Sequence, residues 1–582
     1  MSRRRALALL ALALLCTMYL ARIGGYVLQD PDEGRYAEIP REMLETGDWI
    51  TPRLFYVKYF EKPPLLYWLT ALSFKAFGLT EWAARLVPAV SGIVTVVLTF
   101  FLGVRLAGTR AAWLGAGVLA TMPLFFALSQ ALLIDMLLTA CMTTTMLALY
   151  AAHVAEDKRG WALVVAASVA LGVLAKGLVA LVLPGMIALA FFFATRDTAT
   201  IRALLRWPPI LLFLVVAVPW FVVVSVRNPE FFEFFFIREH FQRFLASAPG
   251  RVGHREGPFY YVPVMLFGPA PWTFVAAALA ASAAGRQAFF AIPRETRLFL
   301  LLWAGIVVGF FTLSTSKLAT YVLPALPALA ILFGAWIDRA LEDAALVRRV
   351  VGVLRGTLLV VGATMAVLAL VAWPLYESIA RWTRQDTHDV LHVAGVVSWT
   401  ALVLLAAGGV SYLLRFEQRG RPVAAVGALT AGLALMLLCA VEGRAVTKTS
   451  RALADAIVPL RQHGDLLLSY KRLMQGLPFY TRGPVIQFDA YHEIRFGALI
   501  APNHDELFWN DFERIEQEWS SGRRVFIATD VKHIPFLQKE LDPTPRILVQ
   551  DQRRVVLVNF PASASDGEAV AVETERPHQP GG

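Results

Sequence analysis

Long apolar stretches separated by short polar loops run through most of the chain and end near residue 440. A helix needs about 20 consecutive apolar residues to cross a bilayer, and about thirteen stretches approach that length. The pattern therefore predicts an α-helical polytopic membrane protein with about thirteen transmembrane helices. The predicted spans cover residues 6–27, 86–106, 111–128, 132–152, 161–175, 178–194, 208–226, 258–281, 298–313, 318–336, 351–373, 393–414 and 422–439.

The pattern changes after about residue 442, where short apolar runs alternate with helix-like stretches. This alternation is typical of a small α/β domain, which we predict over residues 442–561. The last residues, 562–582, are rich in Ala, Ser, Glu, Pro and Gly, a composition that favours disorder. The predicted strands are 465–470, 484–488, 523–529, 546–550 and 555–560, and the predicted helices are 451–463 and 508–519.

Positively charged residues lie in alternate loops between the predicted spans. Because cytoplasmic loops carry an excess of Lys and Arg, these loops should face the cytoplasm. The N-terminus is then cytoplasmic, and the first loop, residues 29–85, and the C-terminal domain are periplasmic. The cytoplasmic charge clusters are residues 3–5, 105 and 110, 158 and 159, 196–206, 286–297, 339–349 and 415–421.

Composition supports this class and excludes others. The chain is 57% hydrophobic and only 17% charged, whereas soluble domains carry about 25% charged residues. The net charge of +10 lies mostly between the apolar spans, so it indicates orientation rather than nucleic-acid binding. The three cysteines, Cys16, Cys141 and Cys439, lie inside apolar stretches and predict neither a disulfide framework nor a cysteine metal site.

Ionisable side chains are concentrated in the first loop. Charged residues beside a membrane are costly and are read as functional by default. For Asp32, the plainer reading is a helix cap, and for the outer-side cations it is contact with bulk lipid headgroups. The candidate residues of this loop are Asp32, Glu33, Arg35, Tyr36, Tyr59, Glu61 and Lys62.

Further candidates lie on the same predicted side of the membrane. Asp135 is about one turn into the fourth span, where it either joins a site or neutralises an arginine. His240 and Arg243 are three residues apart on a predicted surface helix rich in phenylalanine, and Lys317 and Tyr321 share one face of the tenth span. Cations at this depth suit an anionic ligand such as a phosphate.

The sequence requires no cofactor. Glu61 together with His240, or with His254, leaves open a divalent metal site for Zn²⁺, Mg²⁺ or Mn²⁺, but two unconnected ligands are a weak pattern.

Five features follow one another along the chain: Asp32-Glu-Gly-Arg-Tyr-Ala-Glu, Phe60-Glu-Lys-Pro-Pro64-x-x-Tyr67-Trp68, Asp135, Arg238-Glu-His240-x-x-Arg243 and Lys317-x-x-x-Tyr321-x-x-Pro324. In this order they resemble the lipid A aminoarabinose transferases and their relatives in the protein O-mannosyltransferase family. Gly34 is a departure, because relatives often carry Thr or Ala there. The resemblance implies a GT-C type glycosyltransferase that moves a sugar from a polyprenyl-phosphate donor to lipid A phosphate on the periplasmic side of the bacterial inner membrane.

The candidate residues fit this chemistry, because cleavage of a sugar–phosphate bond needs cations on the leaving phosphate. An ionised phosphate acceptor hardly needs a general base, whereas a hydroxyl acceptor would need one, for which Asp32 is the choice. The roles that we expect are catalytic for Asp32 and Asp135, donor-phosphate binding for Lys62, Arg243, Lys317 and Tyr321, and sugar or acceptor binding for Glu33, Arg35, Tyr36 and Tyr59.

Two alternatives remain at this point. A related transferase could deliver mannose or another hexose to protein or glycan hydroxyls with the same fold. A transporter or lipid flippase would carry buried charges near the middle of its spans, which this sequence does not favour. Whether the chain is an aminoarabinose transferase or a related hexosyl transferase, we expect a membrane-embedded monomer that binds a polyprenyl-phosphate sugar and no nucleic acid.

Overall fold

We describe the protein from a computed structural model. The structure describes residues 3–242, 256–376, 449–551 and 553–561, together with short pieces between 378 and 406. The chain divides into two units, Met1–Thr449 and Ser450–Gly582. The predicted tail, 562–582, lies outside the described residues.

The first unit is built from apolar helices. Within the described residues, seven helices are long and apolar enough to cross a membrane, and two bent pairs raise that number to nine. The fold class is therefore confirmed, whereas the count of thirteen stays a prediction. The seven are Glu81–Ala107, Ile134–Val154, Arg159–Lys176, Trp207–Arg227, Arg294–Leu313, Ala319–Ala340 and Ala344–Ala372, and the bent pairs are Thr109–Ala120 with Pro123–Ser129 and Tyr261–Phe267 with Trp272–Ala280.

Shorter helices account for two of the four remaining predicted spans. Helix Val179–Thr195 has 17 residues, and helix Arg3–Leu20 ends earlier than the predicted limit at residue 27. The predicted span 422–439 lies outside the described residues, as does much of 393–414.

Among the seven long apolar helices, Ile134–Val154 is the most enclosed, with 94% of its apolar stretch buried. It tolerates several threonines because their hydroxyls donate to carbonyl oxygens four residues earlier, as Thr139 does to Asp135 at 2.7 Å and Thr143 to Thr139 at 2.8 Å. Small residues allow other helices to approach closely. A Cβ atom added to Gly334 would lie only 2.4 Å from the backbone nitrogen of Gly115.

The first loop is mostly helical. Helix Asp32–Thr46 continues through Pro40 and ends at Gly47, whose φ of 69° is a left-handed conformation that glycine adopts easily. A two-residue pair of strands follows, β1 (Arg53–Leu54) and β2 (Val57–Lys58), and then helix Leu65–Phe77. Thr80 then caps helix Glu81–Ala107, which begins five residues before the predicted span 86–106.

The second unit contains a six-stranded sheet. Its strands are β3 (Leu466–Tyr470), β4 (Ile486–Phe488), β5 (Phe508–Trp509), β6 (Val525–Asp530), β7 (Arg546–Gln550) and β8 (Arg554–Val558), in the order β5-β4-β3-β6-β8-β7. Strands β5, β4, β3 and β6 are parallel, and β8 and β7 add antiparallel pairs.

Helices connect these strands. They are Leu477–Thr481, Arg495–Leu499, His504–Leu507, Phe512–Ser520 and Ile534–Glu540, and a further helix, Arg451–Ile457, precedes β3.

One predicted helix of this unit begins too early. We expected a helix over 508–519, but Phe508 and Trp509 are buried and pair with β4 as strand β5. The helix begins at Phe512, where the Asp511 carboxylate accepts a hydrogen bond from the Glu513 backbone N–H at 3.0 Å. Burial of two large aromatic side chains at a sheet edge outweighs their helical periodicity.

Candidate active site

The first turn of helix Asp32–Thr46 carries an ion pair. Asp32, whose side chain is 57% exposed, contacts the guanidinium group of Arg35, which is only 12% exposed. The Arg35 guanidinium also lies 5.0 Å from the centroid of the Tyr36 ring. Asp32 therefore has a charged partner, which a role as helix cap alone would not require.

Tyr36 shows which charges converge. It is buried beside Tyr67, with ring centroids 6.1 Å apart. Burial raises the pKa of the Tyr36 phenol above its usual value; the Arg35 charge opposes the rise, and the Asp32, Asp135 and Glu61 carboxylates add to it. Carboxylates from three separate segments thus influence the pKa of one phenol group.

Asp135 has a lysine partner. It is the second residue of helix Ile134–Val154 and contacts the ammonium group of Lys176, the last residue of helix Arg159–Lys176. Both side chains are largely buried, at 9% and 12% exposure. The Lys176 Nζ atom lies 4.5 Å from the centroid of the Tyr321 ring. The sequence left open that Asp135 neutralises an arginine; the partner in the structure is a lysine instead.

Lys317 is held by the backbone. This buried residue donates from Nζ to the Ser314 carbonyl at 2.6 Å and to the Glu256 carbonyl at 3.2 Å. The Tyr261 hydroxyl donates to the Leu318 carbonyl at 3.1 Å. These contacts fix the segment that carries Lys317 and Tyr321 at the start of the span Ala319–Ala340.

The Tyr59–Lys62 segment lies between buried aromatic residues. Tyr59 is buried, and its backbone N–H donates to the Pro52 carbonyl at 2.9 Å. Phe60 packs against Phe231, with ring centroids 5.2 Å apart. Lys62 donates from Nζ to the carbonyl of Glu61 at 3.0 Å. The aromatic packing anchors the segment that carries the charged side chains of Glu61 and Lys62.

Glu33 has a different position from the one expected. Its side chain is buried and bound to Arg85, not directed toward a ligand. The geometry does not favour the role in sugar or acceptor binding that we expected from the sequence.

Three expected residues cannot be placed. His240 belongs to a π-helix, Glu233–Gln242, but its side chain is outside the described part of the chain, as are Arg243 and His254. Among the described residues, no group of three or more His, Cys, Asp or Glu could hold a metal ion. The metal site stays a prediction.

The structure adds two residues that the sequence reasoning did not assign to the site. Lys176 was one of many outer-side cations, and its signal is that it is the single charge between two apolar spans. Tyr67 lies in the quoted motif but received no role.

Known proteins match both units. A model described as dolichyl-phosphate-mannose-protein mannosyltransferase matches residues 2–235, and one described as aminoarabinose transferase C-terminal domain matches residues 453–559. An undecaprenyl phosphate-α-4-amino-4-deoxy-L-arabinose arabinosyl transferase from Pectobacterium carotovorum is 30% identical over 515 residues, which cover 85% of this chain and 87% of the relative.

Solved structures agree. The crystal structure of ArnT from Cupriavidus metallidurans bound to undecaprenyl phosphate is similar, with a TM-score of 0.81 and 29% identity over 96% of this chain and 98% of that chain. An oligosaccharyltransferase from Archaeoglobus fulgidus, in the apo form, shares the fold at a TM-score of 0.50 and 13% identity, over 91% of this chain and 70% of that chain.

The fold and the charged cluster define a GT-C type membrane glycosyltransferase that uses a polyprenyl-phosphate donor. Within that class, the chain belongs to the undecaprenyl phosphate-α-4-amino-4-deoxy-L-arabinose arabinosyl transferase family. The family predicted from the five sequence features is confirmed.

Proposed function

We propose that this chain transfers 4-amino-4-deoxy-L-arabinose from undecaprenyl phosphate to a phosphate group of lipid A. The observation that carries the proposal is the ion pair of Asp135 with Lys176, whose Nζ atom lies 4.5 Å from the Tyr321 ring centroid. Asp135 lies at the start of one span, and Lys176 lies at the end of the next one. A lipid-linked donor and a lipid-linked acceptor can both reach a site at this level of the bilayer.

The reaction exchanges one phosphate for another at the anomeric carbon of the sugar. An oxygen of the acceptor phosphate forms the new C–O bond, the bond to the donor phosphate breaks, and undecaprenyl phosphate leaves with both electrons of that bond. Lys62, Lys317 and Arg243 would stabilise the charge on the leaving phosphate, with the Tyr321 hydroxyl as a further donor. The acceptor phosphate is already ionised near pH 7, so no general base is required.

The two aspartates would then stabilise positive charge on the sugar. The anomeric carbon becomes oxocarbenium-like as the donor bond breaks, and carboxylates near it lower the energy of that state. The ion pairs with Arg35 and Lys176 hold Asp32 and Asp135 in place. Tyr36, Tyr59 and Arg35 remain the candidates for sugar and acceptor contact.

Mass spectrometry of lipid A from a transferase-null Gram-negative strain that expresses this chain tests the proposal. We expect a mass gain that matches aminoarabinose, and its loss in Lys62→Ala and Asp32→Asn. Lys75→Ala, an exposed lysine of helix Leu65–Phe77, is the matched control and should keep the mass gain.

Other outcomes would contradict the proposal. A hexose mass gain would favour the mannosyl-type alternative, and no mass gain from correctly inserted protein would exclude lipid A as the acceptor. Full activity of both site variants would overturn the assigned site.

A divalent cation also stays a proposal. Glu61 and His240 would hold it, and when bound it would neutralise charge on the donor phosphate. Transfer of aminoarabinose to lipid A by the purified protein, measured by mass spectrometry with and without a chelator, tests this. Unchanged activity after chelation and metal analysis would remove the cation from the proposal.

We propose further that the protein acts as a monomer in the bacterial inner membrane. Its N-terminus would face the cytoplasm, and its site and C-terminal unit would face the periplasm. The charge pattern of the loops supports this orientation.

A further inference from the structure

We propose that Glu33 and Arg85 act as positioning residues that fix Asp32 and Asp135 relative to each other. We call this pair the Glu33–Arg85 clamp. The inference rests on the proposed function, because its purpose is to align the two carboxylates of that site.

All five N–H groups of Arg85 have acceptors. Nε and Nη2 each donate to a Glu33 carboxylate oxygen at 2.7 Å. Nη1 donates to the carbonyls of Ile23 at 2.9 Å and Tyr26 at 2.6 Å, and Nη2 also donates to the carbonyl of Val27 at 2.9 Å. The side chain is fully buried, with its guanidinium 3.8 Å from the centroid of the Tyr26 ring.

The Glu33 carboxylate is equally occupied. Besides the two bonds from Arg85, Oε1 accepts from the Leu132 backbone N–H at 2.9 Å, and Oε2 accepts from the Gln29 backbone N–H at 3.0 Å. Each oxygen therefore accepts two hydrogen bonds. A buried ion pair stabilises a structure only when such further bonds satisfy its polar atoms, and this pair meets that condition.

The clamp joins four segments of the chain. They are the turn after the first helix, the first turn of helix Asp32–Thr46, the span Glu81–Ala107 and the segment before helix Ile134–Val154. Glu33 follows Asp32 directly, and Leu132 lies three residues before Asp135. The clamp therefore connects the two short segments that carry the site aspartates.

The clamp positions the site but does not touch a substrate. The side chains are 0% exposed for Arg85 and 6% exposed for Glu33, and every polar atom of both is already used. Their effect must therefore pass through the placement of Asp32 and Asp135. Since a misplacement of about 1 Å at a reacting centre can cost about 10²-fold in rate, loosening the clamp should lower kcat strongly.

Purified full-length protein in detergent, with undecaprenyl-phosphate aminoarabinose and lipid A, provides the test. We expect Glu33→Asp to stay folded because it keeps the charge, yet to lower kcat about 10-fold or more through its shorter reach. The KM for the donor should change less than about twofold, because no clamp atom is available to the donor. Arg85→Lys should behave similarly, because an ammonium group has three donors and cannot form the two-point contact.

A matched control separates the clamp from a general effect of ion pairs. Arg110→Lys alters another guanidinium–carboxylate pair, with Asp338 at 2.7 Å, on a helix that begins at Thr109. We expect wild-type kcat for it. All rates are expressed per folded molecule, counted by size-exclusion chromatography.

The outcomes are distinguishable. If the wild type transfers no aminoarabinose, the proposed function fails. If the wild type is active and folded Glu33→Asp and Arg85→Lys keep its kcat and KM, the clamp proposal is overturned while the function stands. If these variants lose only folded protein and not rate per molecule, the pair is merely structural and the proposal is again overturned.

Discussion

Several charged residues of helix Asp32–Thr46 are buried, and each buried charge needs a partner. Arg41 forms a two-point contact with Glu38, at 2.7 and 2.6 Å, and contacts Glu45 at 2.5 Å. Glu42 accepts from the Tyr56 backbone N–H at 3.0 Å. Glu38 and Glu42 are both buried one helical turn apart, so two carboxyl groups depend on one arginine. Burial of two carboxyl groups beside one guanidinium group raises the pKa of both and so favours the protonated form.

The protonation of Glu42 gives a pH prediction. Burial raises the pKa of Glu42 well above its usual value, and the Glu38 carboxylate raises it further. The folded protein then holds a proton that the unfolded chain releases above about pH 4.5, so stability falls as pH rises toward the raised pKa. We expect Glu42→Gln to remove part of this fall, so that its Tm at pH 8 exceeds that of the wild type.

Thermal unfolding of both proteins between pH 5 and pH 9 checks this prediction. Glu45→Gln is the control, because the Glu45 side chain is half exposed and contacts Arg41 from outside the buried pair. A Tm difference between the wild type and Glu42→Gln that does not change with pH would contradict the assignment of the proton to Glu42.

Helices and strands could be predicted where the local sequence carries a strong apolar pattern. The prediction failed where an element depends on the neighbour with which it pairs. Uninterrupted apolar stretches identified Ile134–Val154 and Trp207–Arg227 within a few residues. Strand β5 was missed because it has two residues and depends on its neighbour β4. For the candidate site, charge in an apolar setting singles out Asp32 and Asp135, whose roles stay predictions, whereas Arg85 received no role. Nothing in the local sequence distinguishes an arginine that binds Glu33 from one at a membrane surface.

The contact between helices Thr109–Ala120 and Leu326–Ala340 depends on paired glycines. A Cβ atom on Gly334 would come within 2.7 Å of backbone atoms of Gly115 and Ala111, which cannot move independently of their helix. We expect Gly334→Ala to lower the yield of folded protein and its Tm, because the helices must separate. Gly352→Ala is the control, since nothing lies within 4 Å of its added Cβ. Equal Tm values for the two variants would contradict this account of the helix contact.

Over the whole molecule, the charges have two separate tasks. Arginines in alternate loops predict the orientation of the chain, whereas Asp32, Asp135, Lys176 and Lys317 are paired or held by the backbone. The sequence predicts an orientation, because the positive-inside rule depends only on counts in short loops, and this orientation stays a prediction. It could not predict which cation meets which carboxylate, since that depends on helix packing.

The orientation makes a prediction about chemical access. In intact spheroplasts, with the three native cysteines changed to alanine, a membrane-impermeant maleimide should label Lys539→Cys, because Lys539 is 81% exposed in the C-terminal unit. It should not label Glu156→Cys, an exposed residue just before helix Arg159–Lys176, until the membrane is permeabilised. The physical reason is that the intervening Lys and Arg clusters resist transfer across the membrane.

Labelling of Glu156→Cys alone in intact spheroplasts would invert the topology and move the Asp32–Asp135 site to the cytoplasmic side. A lipid A acceptor in the periplasm would then be out of reach, so this single measurement bears on the fold and on the proposed reaction together.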